Sequence, residues 1–187
     1  RMAGVGRISI EKTPLGEKIT IEAVKPSVVI GRAGSAISEL TTSIKANFKL
    51  ENPQIDVKEI AVPALSATVV ANRIADEMQR FGTAKFKGIG YKSLQNIMNA
   101  GALGAEIKIS GRGVPSSRAK SWRFSAGYMK KCGQIALEKV DHAITNANLH
   151  TGTVGVQVSI MPPTIVLPDR IKLKPQAVVA KEEEKKQ

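Results

Sequence analysis

The sequence predicts an α+β protein with an N-terminal domain over residues 1–82, a smaller α/β domain over 83–163 and an extended or disordered tail over 164–187. Three observations predict this organisation. Apolar residues alternate with polar ones in some segments, which is typical of strands, and recur every three or four residues in others, which is typical of helices. Gly82 follows one helical segment and separates the two halves. The tail combines prolines with a charged run, and this composition does not form a core by itself.

The first half alternates predicted strands and helices. Ile19, Ile21 and Ala23 alternate with their neighbours as in a strand, whereas Leu40 and Ile44 belong to an apolar helical face. The predicted elements, in chain order, are a strand at 7–12, a turn at 13–16, a strand at 19–24, a helical turn at 28–30, a helix at 34–48, a strand at 55–60 and a helix at 65–81.

A Gly-x-x-Gly loop lies between the helical turn and the helix, and it consists of Gly31, Arg32, Ala33 and Gly34. The two glycines lack Cβ atoms, so a phosphate can approach the backbone closely. The helix that follows directs free N–H groups and its positive end toward the same space, and Arg32 adds a full charge. KH modules clamp about four nucleotides with such a loop. We therefore expect these four residues to bind RNA, and the alternative is an ordinary glycine turn between packed elements.

The second half begins with a predicted helix whose residues Phe86, Ile89 and Leu94 point inward. We expect Trp122 to pack in the core of this half rather than stack on a base. The further predicted elements are the helix itself at 85–100, a strand at 105–110, a glycine- and serine-rich basic loop at 111–120, and strands at 121–129 and 154–160. The segment 134–146 fits a strand or a helix, and its pattern does not decide between them.

Positive charge is concentrated in the middle of the chain. The sequence has 28 basic and 16 acidic residues, a net charge of +12, and the segment 78–137 holds a regional charge of +10 with the single acid Glu106. A chain with such a basic region usually binds a polyanion, although a solvated basic loop is the simpler alternative. We expect phosphate contacts from these residues of the region: Lys85, Lys87, Lys92, Arg112, Arg118, Lys120, Arg123, Lys130 and Lys131.

Other chemistry finds little support in the sequence. Cys132 is the only cysteine, which excludes a disulfide within the chain and fits a reducing cytoplasm. His142 and His150 are the only histidines, and the glycine loop lacks the Gly-Lys-Ser/Thr ending of a nucleotide-binding P-loop. We expect no catalytic residue, no metal, no cofactor and no small-molecule substrate. No apolar run approaches the roughly 20 residues of a membrane helix, so we expect no membrane partner.

Four segments resemble the universal small-subunit ribosomal protein three family in its archaeal or eukaryotic-like form: VVIGRAGSAISEL, ENPQIDV, IMNAGALGAEIKISGRGVPSSRAKSWRFSAGYMKKCG and GTVGVQVSIMPP. The resemblance covers roughly residues 5–163. It implies a KH domain of the second type followed by a C-terminal α/β domain. It also implies a structural constituent of the head of the small ribosomal subunit, which binds ribosomal RNA, contacts neighbouring ribosomal proteins and helps to form the mRNA entry channel in the cytoplasm.

The resemblance carries expectations for single positions. Residues 31–34 match the KH loop of the family, and Lys87 and Lys92 match basic positions at the start of the helix that leads into the second domain. Gly88 and Tyr91 stand where relatives often have a charge, which weakens the mRNA-unwinding role credited to bacterial relatives. The KH domain of the family begins with a helix before its first strand, and we expect that helix to precede this numbering.

Two other functions stay open at this point. A free-standing KH-domain regulator that binds single-stranded RNA is the main alternative, because the glycine loop alone is compatible with it. A nucleic-acid lyase that uses a lysine amine is the remote alternative, because many lysines lie in the predicted RNA-binding region, although nothing singles one of them out.

Overall fold

The computed structural model describes residues 3–14, 16–48, 50, 52–115, 117–165 and 167. Its N-terminal part is built on a three-stranded sheet of order β1-β2-β3. The elements of this part are β1 (Val5–Thr13), β2 (Gly16–Ala23), α1 (Pro26–Ile30), α2 (Ser35–Phe48) and β3 (Gln54–Glu59). Strands β1 and β2 are antiparallel, whereas β2 and β3 are parallel. A parallel pair needs a crossover connection, and α1 and α2 supply it.

The C-terminal part contains a four-stranded antiparallel sheet of order β5-β4-β7-β6. Its elements are α3 (Ala67–Phe81), α4 (Phe86–Asn99), β4 (Gly104–Pro115), β5 (Ala119–Gly127), α5 (Gln134–Glu138), β6 (Asp141–Leu149) and β7 (Gly152–Met161). The predicted α+β class is therefore confirmed. Among the described helices, none is both long and apolar enough to cross a membrane.

The main core lies between α3, α4 and one face of the four-stranded sheet. Ile74 and Met78 of α3, Ile97 of α4, Ile107 of β4 and Phe124 of β5 are fully or almost fully buried in it. Strand residues of this face alternate with exposed or half-buried ones, as a sheet covered on one side requires. Helix α3 packs on the strands β6 and β7 of this sheet.

A long-range hydrogen bond fixes the start of α3. The backbone N–H of Ala67 donates to Oδ2 of Asp141 at 2.7 Å, so a carboxylate from β6 satisfies one of the free donors of the first helical turn. The division of the chain near Gly82 stays a prediction. The packing of α3 supports the proposal that this helix be counted with the second domain.

Helix α2 carries its predicted apolar face largely uncovered within the described residues. None of its residues is buried, and Leu40 and Phe48 are 41% and 70% exposed. The small three-stranded sheet instead buries Ile19 and Ala23 of β2 together with Val29 of α1. The apolar periodicity predicts the helix, but it does not indicate how much of its apolar face other elements cover.

The structure resolves the segment whose pattern was ambiguous. Residues 134–146 contain both elements, because the short helix α5 is followed directly by the edge strand β6. The predicted loop at 111–120 is wrong as a loop, since β4 extends to Pro115 and β5 begins at Ala119, which makes a β-hairpin. The spacing of apolar residues in α3 predicts one apolar stripe, which consists of Val70, Ile74, Met78 and Phe81. The prediction is wrong at the end of the stripe, because Phe81 is 55% exposed.

The beginning of the predicted tail packs against the second domain. Ile165 is 8% exposed and lies with Val140 and Met161 in a small second cluster, against which Leu167 also packs. Residues 168–187 of the predicted tail lie outside the described residues.

Candidate nucleic-acid interface

The glycine loop has the backbone geometry that its sequence predicts. Gly31 adopts a φ of 76° and Ala33 a φ of 52°, both in the left-handed region. At Gly31 a Cβ would lie 2.7 Å from the Cβ of Ala36, so no larger residue fits without a shift. A non-glycine residue in this region costs energy and is often found where a segment contacts a ligand.

The loop presents groups that suit a phosphate. Arg32 and Ala33 are exposed, and the 14-residue helix α2 begins directly after the loop at Ser35. The N–H of Ser35 donates to the carbonyl of Arg32, so the loop offers a phosphate the positive end of the helix together with the arginine charge. The side chain of Ser38 donates to the carbonyl of Gly34 at 2.9 Å, which ties the loop to the helix. The geometry is compatible with the predicted RNA contact.

The second candidate region is the basic hairpin, defined as residues 111–120 at the end of β4 and the beginning of β5. Gly111 pairs with Lys120 and Pro115 with Ala119, and the register shifts between these two pairs. Arg112, Arg118 and Lys120 are exposed on it. A hairpin holds its cations in a more defined arrangement than a free loop, because the ladder fixes the backbone on both sides.

The sheet distributes the predicted cations between its two faces. Lys108 and Arg123 form a cross-strand pair on the outer face, because side chains alternate along a strand. Trp122 pairs with the buried Ile109 and therefore lies on the helix side. The same alternation places Lys120 on the side of Trp122. Lys108 was not predicted as a site residue, and only the strand register reveals it as a neighbour of Arg123.

Two predicted cations are held by the one acid of the region. Oε1 of Glu106 lies 2.9 Å from Nε of Arg123, and Oε2 lies 2.8 Å from Nζ of Lys131. The glutamate side chain is 16% exposed, and the two cations remain more than half exposed. These residues can still reach a phosphate, but the carboxylate removes part of their net charge. Lys130 lies nearby, with Nζ 6.0 Å from the ring centroid of Tyr128.

Two of the predicted lysines at the start of α4 lie over different aromatic rings. Nζ of Lys85 is 5.3 Å from the ring centroid of Phe81, whereas Nζ of Lys87 is 5.1 Å from the ring of Trp122. Lys92 follows Lys85 by seven residues, so the two share a helix face. Lys87 is therefore directed toward β5, and Lys85 toward the end of α3.

Trp122 packs against the main core of the second domain, as expected from the sequence. Its ring is half-buried against the main cluster. The ring of Phe86 meets it edge-on, with the centroids 5.9 Å apart. Lys87 covers the ring from outside, which leaves this aromatic group as a support for a lysine rather than an open stacking surface.

The basic hairpin and the start of α4 are neighbours. A Cβ placed on Gly113 would lie 3.2 Å from Oγ1 of Thr83, two residues before Lys85. The short 3-10 turn at Thr83–Lys85 thus packs against β4. This contact joins two of the predicted basic segments into one region, whereas the glycine loop is carried by the other sheet.

The described residues offer no obvious metal centre, because no group of three or more His, Cys, Asp or Glu side chains converges in that part of the chain. His142 uses its ring nitrogens within the fold, with Nδ1 2.8 Å from Oγ of Ser159 and Nε2 3.2 Å from the carbonyl oxygen of Ala136. Cys132 is exposed.

Comparison with known proteins gives two family matches. Residues 1–65 match the profile described as KH domain, and residues 74–160 match the profile described as Ribosomal protein S3, C-terminal domain. Residues 66–73, which include the beginning of α3, lie between the two matches, and the predicted order of a KH domain followed by a C-terminal α/β domain is confirmed.

Relatives from several archaea extend over nearly the whole chain. The Small ribosomal subunit protein uS3 of Methanocaldococcus jannaschii is 45% identical over 177 residues, which is 95% of this chain and 84% of the relative. The proteins of the same name from Methanosphaera stadtmanae and Methanobrevibacter smithii are each 39% identical. Their matches cover 97% and 92% of this chain and 71% and 68% of the relatives, respectively.

Proposed function

The chain belongs to the uS3 family of small ribosomal subunit proteins, and from this membership we propose that it is a structural constituent of the head of the small ribosomal subunit that binds ribosomal RNA. The observation that carries the proposal is the 45% identity to a protein of that name over 95% of the chain. We propose the cytoplasmic ribosome as its location and other proteins of the subunit head as its neighbours.

The charge distribution supports RNA as the partner. The regional charge of +10 in the segment 78–137 coincides with the basic hairpin and the start of α4, which are in contact. Contacts of this kind bind phosphates and fix the register of the protein on folded RNA without reading its sequence. Arg112, Arg118 and Lys120 are the residues to which we assign most of this binding.

We propose a second role for the lysines at the start of α4. Lys85 and Lys92 share one helix face, and Lys87 lies over Trp122 on another. Together they give the helix two cationic edges that attract single-stranded mRNA at the entry channel. Because Gly88 and Tyr91 add no charge between them, we expect weak mRNA unwinding at most. We propose binding without a catalytic reaction.

Sedimentation of native subunits tests the function directly. A lysate of the source cells is separated on sucrose gradients, and the chain is detected with a specific antibody. We expect it in the small-subunit fractions at moderate salt. Recovery only among free proteins, together with tight binding of the purified chain to short RNA oligonucleotides, would contradict the proposal and favour a free-standing KH regulator.

A charge-reversal variant makes this test sharper. Replacing Arg32 and Ala33 with aspartate places two negative charges in the glycine loop. A regulator that depends on its KH loop loses oligonucleotide binding with this change. For a ribosomal constituent held by several basic segments, we expect the variant to stay in the small-subunit fractions.

A further inference from the structure

The end of α3 exposes an aromatic ring that the packing of the core does not explain. Val70, Ile74 and Met78 of the same stripe are buried, whereas Phe81 is 55% exposed. The helix ends there, since Gly82 adopts a φ of 72° and its N–H donates to the carbonyl of Met78 at 2.9 Å. A single exposed apolar residue is common on protein surfaces and by itself indicates nothing.

Phe81 forms one wall of a small cavity. The described residues that line this cavity of about 350 Å³ are Phe81, Lys85, Gly88, Ile89 and Lys92. Ile89 is 6% exposed and forms an apolar floor. Gly88 leaves the space above the helix open, because a Cβ at this position would meet nothing within 4 Å. The volume is at the lower end of the range for small-ligand pockets, which is roughly 300–1,000 Å³.

The charges around the cavity all have the same sign. Lys85 of the preceding 3-10 turn and Lys92 of α4 both line the cavity, and no carboxylate is among the described residues that line it. Nζ of Lys85 lies 5.3 Å from the ring centroid of Phe81, which orients the ring by a cation–π contact. An apolar floor, an aromatic ring and two ammonium groups together match a flat aromatic ligand that carries phosphates on both sides.

We propose that this cavity binds one unpaired base of single-stranded RNA. Because Phe81 is 55% exposed and a lysine side chain is flexible, the base takes the place of the Lys85 ammonium over the ring and lies over Ile89. The released Lys85 and Lys92 bind the phosphates on its two sides. A base within a duplex has both faces covered by its neighbours, so the site selects single strands. This base site deepens the proposed function and rests on that function for whether the RNA is mRNA or ribosomal RNA.

The neighbouring hairpin favours a polyanion as the ligand of the cavity rather than an apolar protein segment. Gly113 of the basic hairpin lies beside Thr83, at the same end of α4 as the cavity. An RNA strand that leaves the cavity on this side meets the cations of the hairpin. A purely apolar partner segment would leave the two ammonium groups of Lys85 and Lys92 without a counter-charge.

The test uses the purified chain and two short single-stranded RNAs labelled at one end. One carries normal bases, and the other has the same backbone with abasic residues at its centre. Binding is measured by fluorescence anisotropy for the wild type and the variants Phe81→Leu and Phe81→Tyr. Phe48→Leu is the matched control, because Phe48 is also an exposed final residue of a long helix.

We expect Phe81→Leu to weaken binding of the base-bearing RNA about tenfold, since stacking on an aromatic ring contributes about 1–3 kcal/mol and 1.4 kcal/mol is tenfold. Phe81→Tyr and Phe48→Leu should bind within twofold of the wild type. On the abasic RNA, Phe81→Leu and the wild type should bind equally. Circular dichroism and thermal unfolding check that each variant is folded.

Equal binding of the base-bearing RNA by Phe81→Leu and the wild type would overturn the proposal. An equal loss on both RNAs would also overturn it, because the ring would then act on the backbone or on the fold. These outcomes are independent of subunit sedimentation. If Phe81→Leu sediments with subunits and binds RNA normally, the base site is wrong and the ribosomal function stands.

Discussion

Glu106 sets how much positive charge the outer face of the second domain presents. It is the single acid of the segment 78–137, and its carboxylate lies within 3 Å of both Arg123 and Lys131. Both cations are more than half exposed, and exposed ion pairs contribute little to stability. The main effect of this carboxylate is therefore on the orientation and the net charge of the two cations.

Replacing Glu106 with glutamine is expected to strengthen RNA binding. The change releases Arg123 and Lys131 for phosphate contacts, and each additional contact steepens the dependence of log K on log salt by about 0.7–0.9. We expect a slope that is steeper by about 1–2 in filter-binding titrations with a fragment of ribosomal RNA. The measurement is made at several salt concentrations, since affinity at one of them is not informative.

Glu77→Gln is the matched control for this prediction. It gives the same change in net charge and also removes the partner of an arginine, because Oε1 of Glu77 lies 3.2 Å from Nε of Arg73 on α3. We expect this control to leave the salt slope unchanged. If both variants change the slope equally, net charge alone is responsible and Glu106 has no local role.

At the scale of elements, α4 shows why a weak helix former occurs in a well-packed helix. Gly88 and Gly90 both lie in its first half, where glycine costs about 1 kcal/mol relative to alanine. A Cβ at Gly90 would lie 2.5 Å from Cε2 of the buried Phe124, whereas one at Gly88 would meet nothing. One glycine is therefore required by packing on β5, and the other is not.

The two glycines provide a matched pair of stability measurements. Gly90→Ala is expected to lower the free energy of unfolding by about 1–3 kcal/mol, because the buried ring of Phe124 has to move. Gly88→Ala is expected to raise it by up to about 1 kcal/mol through helix propensity. Urea unfolding measures the free energy of unfolding of both variants, and circular dichroism at about 222 nm, where helices absorb, follows the transition. A similar change in both variants would contradict the packing of α4 on β5.

Elements with a long, clear period could be predicted from the sequence, and short or paired ones could not. The alternating apolar residues of β7 and the helical stripe of α3 identified those elements directly. Helix α5 spans five residues, which is too short for a helical period to appear. The sequence predicts a loop where the basic hairpin lies, because Gly111 and Gly113 are typical turn residues. The strand pairing of Gly111 with Lys120 depends on contacts across the hairpin, which the local sequence does not show.

At the scale of the whole molecule, the sequence located the charge but not the side of the sheet on which it lies. The regional charge of +10 predicts that the second domain is the RNA-binding half, and this stays a prediction. Strand register then places Arg123 on the outer face and Lys120 on the helix side, and it brings Glu106 to Arg123. Such pairings join residues far apart in the chain, so no local pattern reports them. The same holds for Phe81, whose exposure depends on how α3 and α4 meet.

The central claim is that the basic hairpin, rather than positive charge in general, holds the chain on ribosomal RNA. The most direct test compares two triple variants with equal net charge. The first replaces Arg112, Arg118 and Lys120 with glutamine. The second replaces three exposed lysines of the KH domain with glutamine, namely Lys12, Lys45 and Lys58.

The measurement is the salt dependence of binding to the head fragment of small-subunit ribosomal RNA. We expect the hairpin variant to bind more weakly and to flatten the slope by about 2–3, which corresponds to three lost phosphate contacts. The KH-domain variant should keep a slope within about 1 of the wild type, as expected for charges that make no phosphate contact. Equal slopes for the two variants would contradict the account.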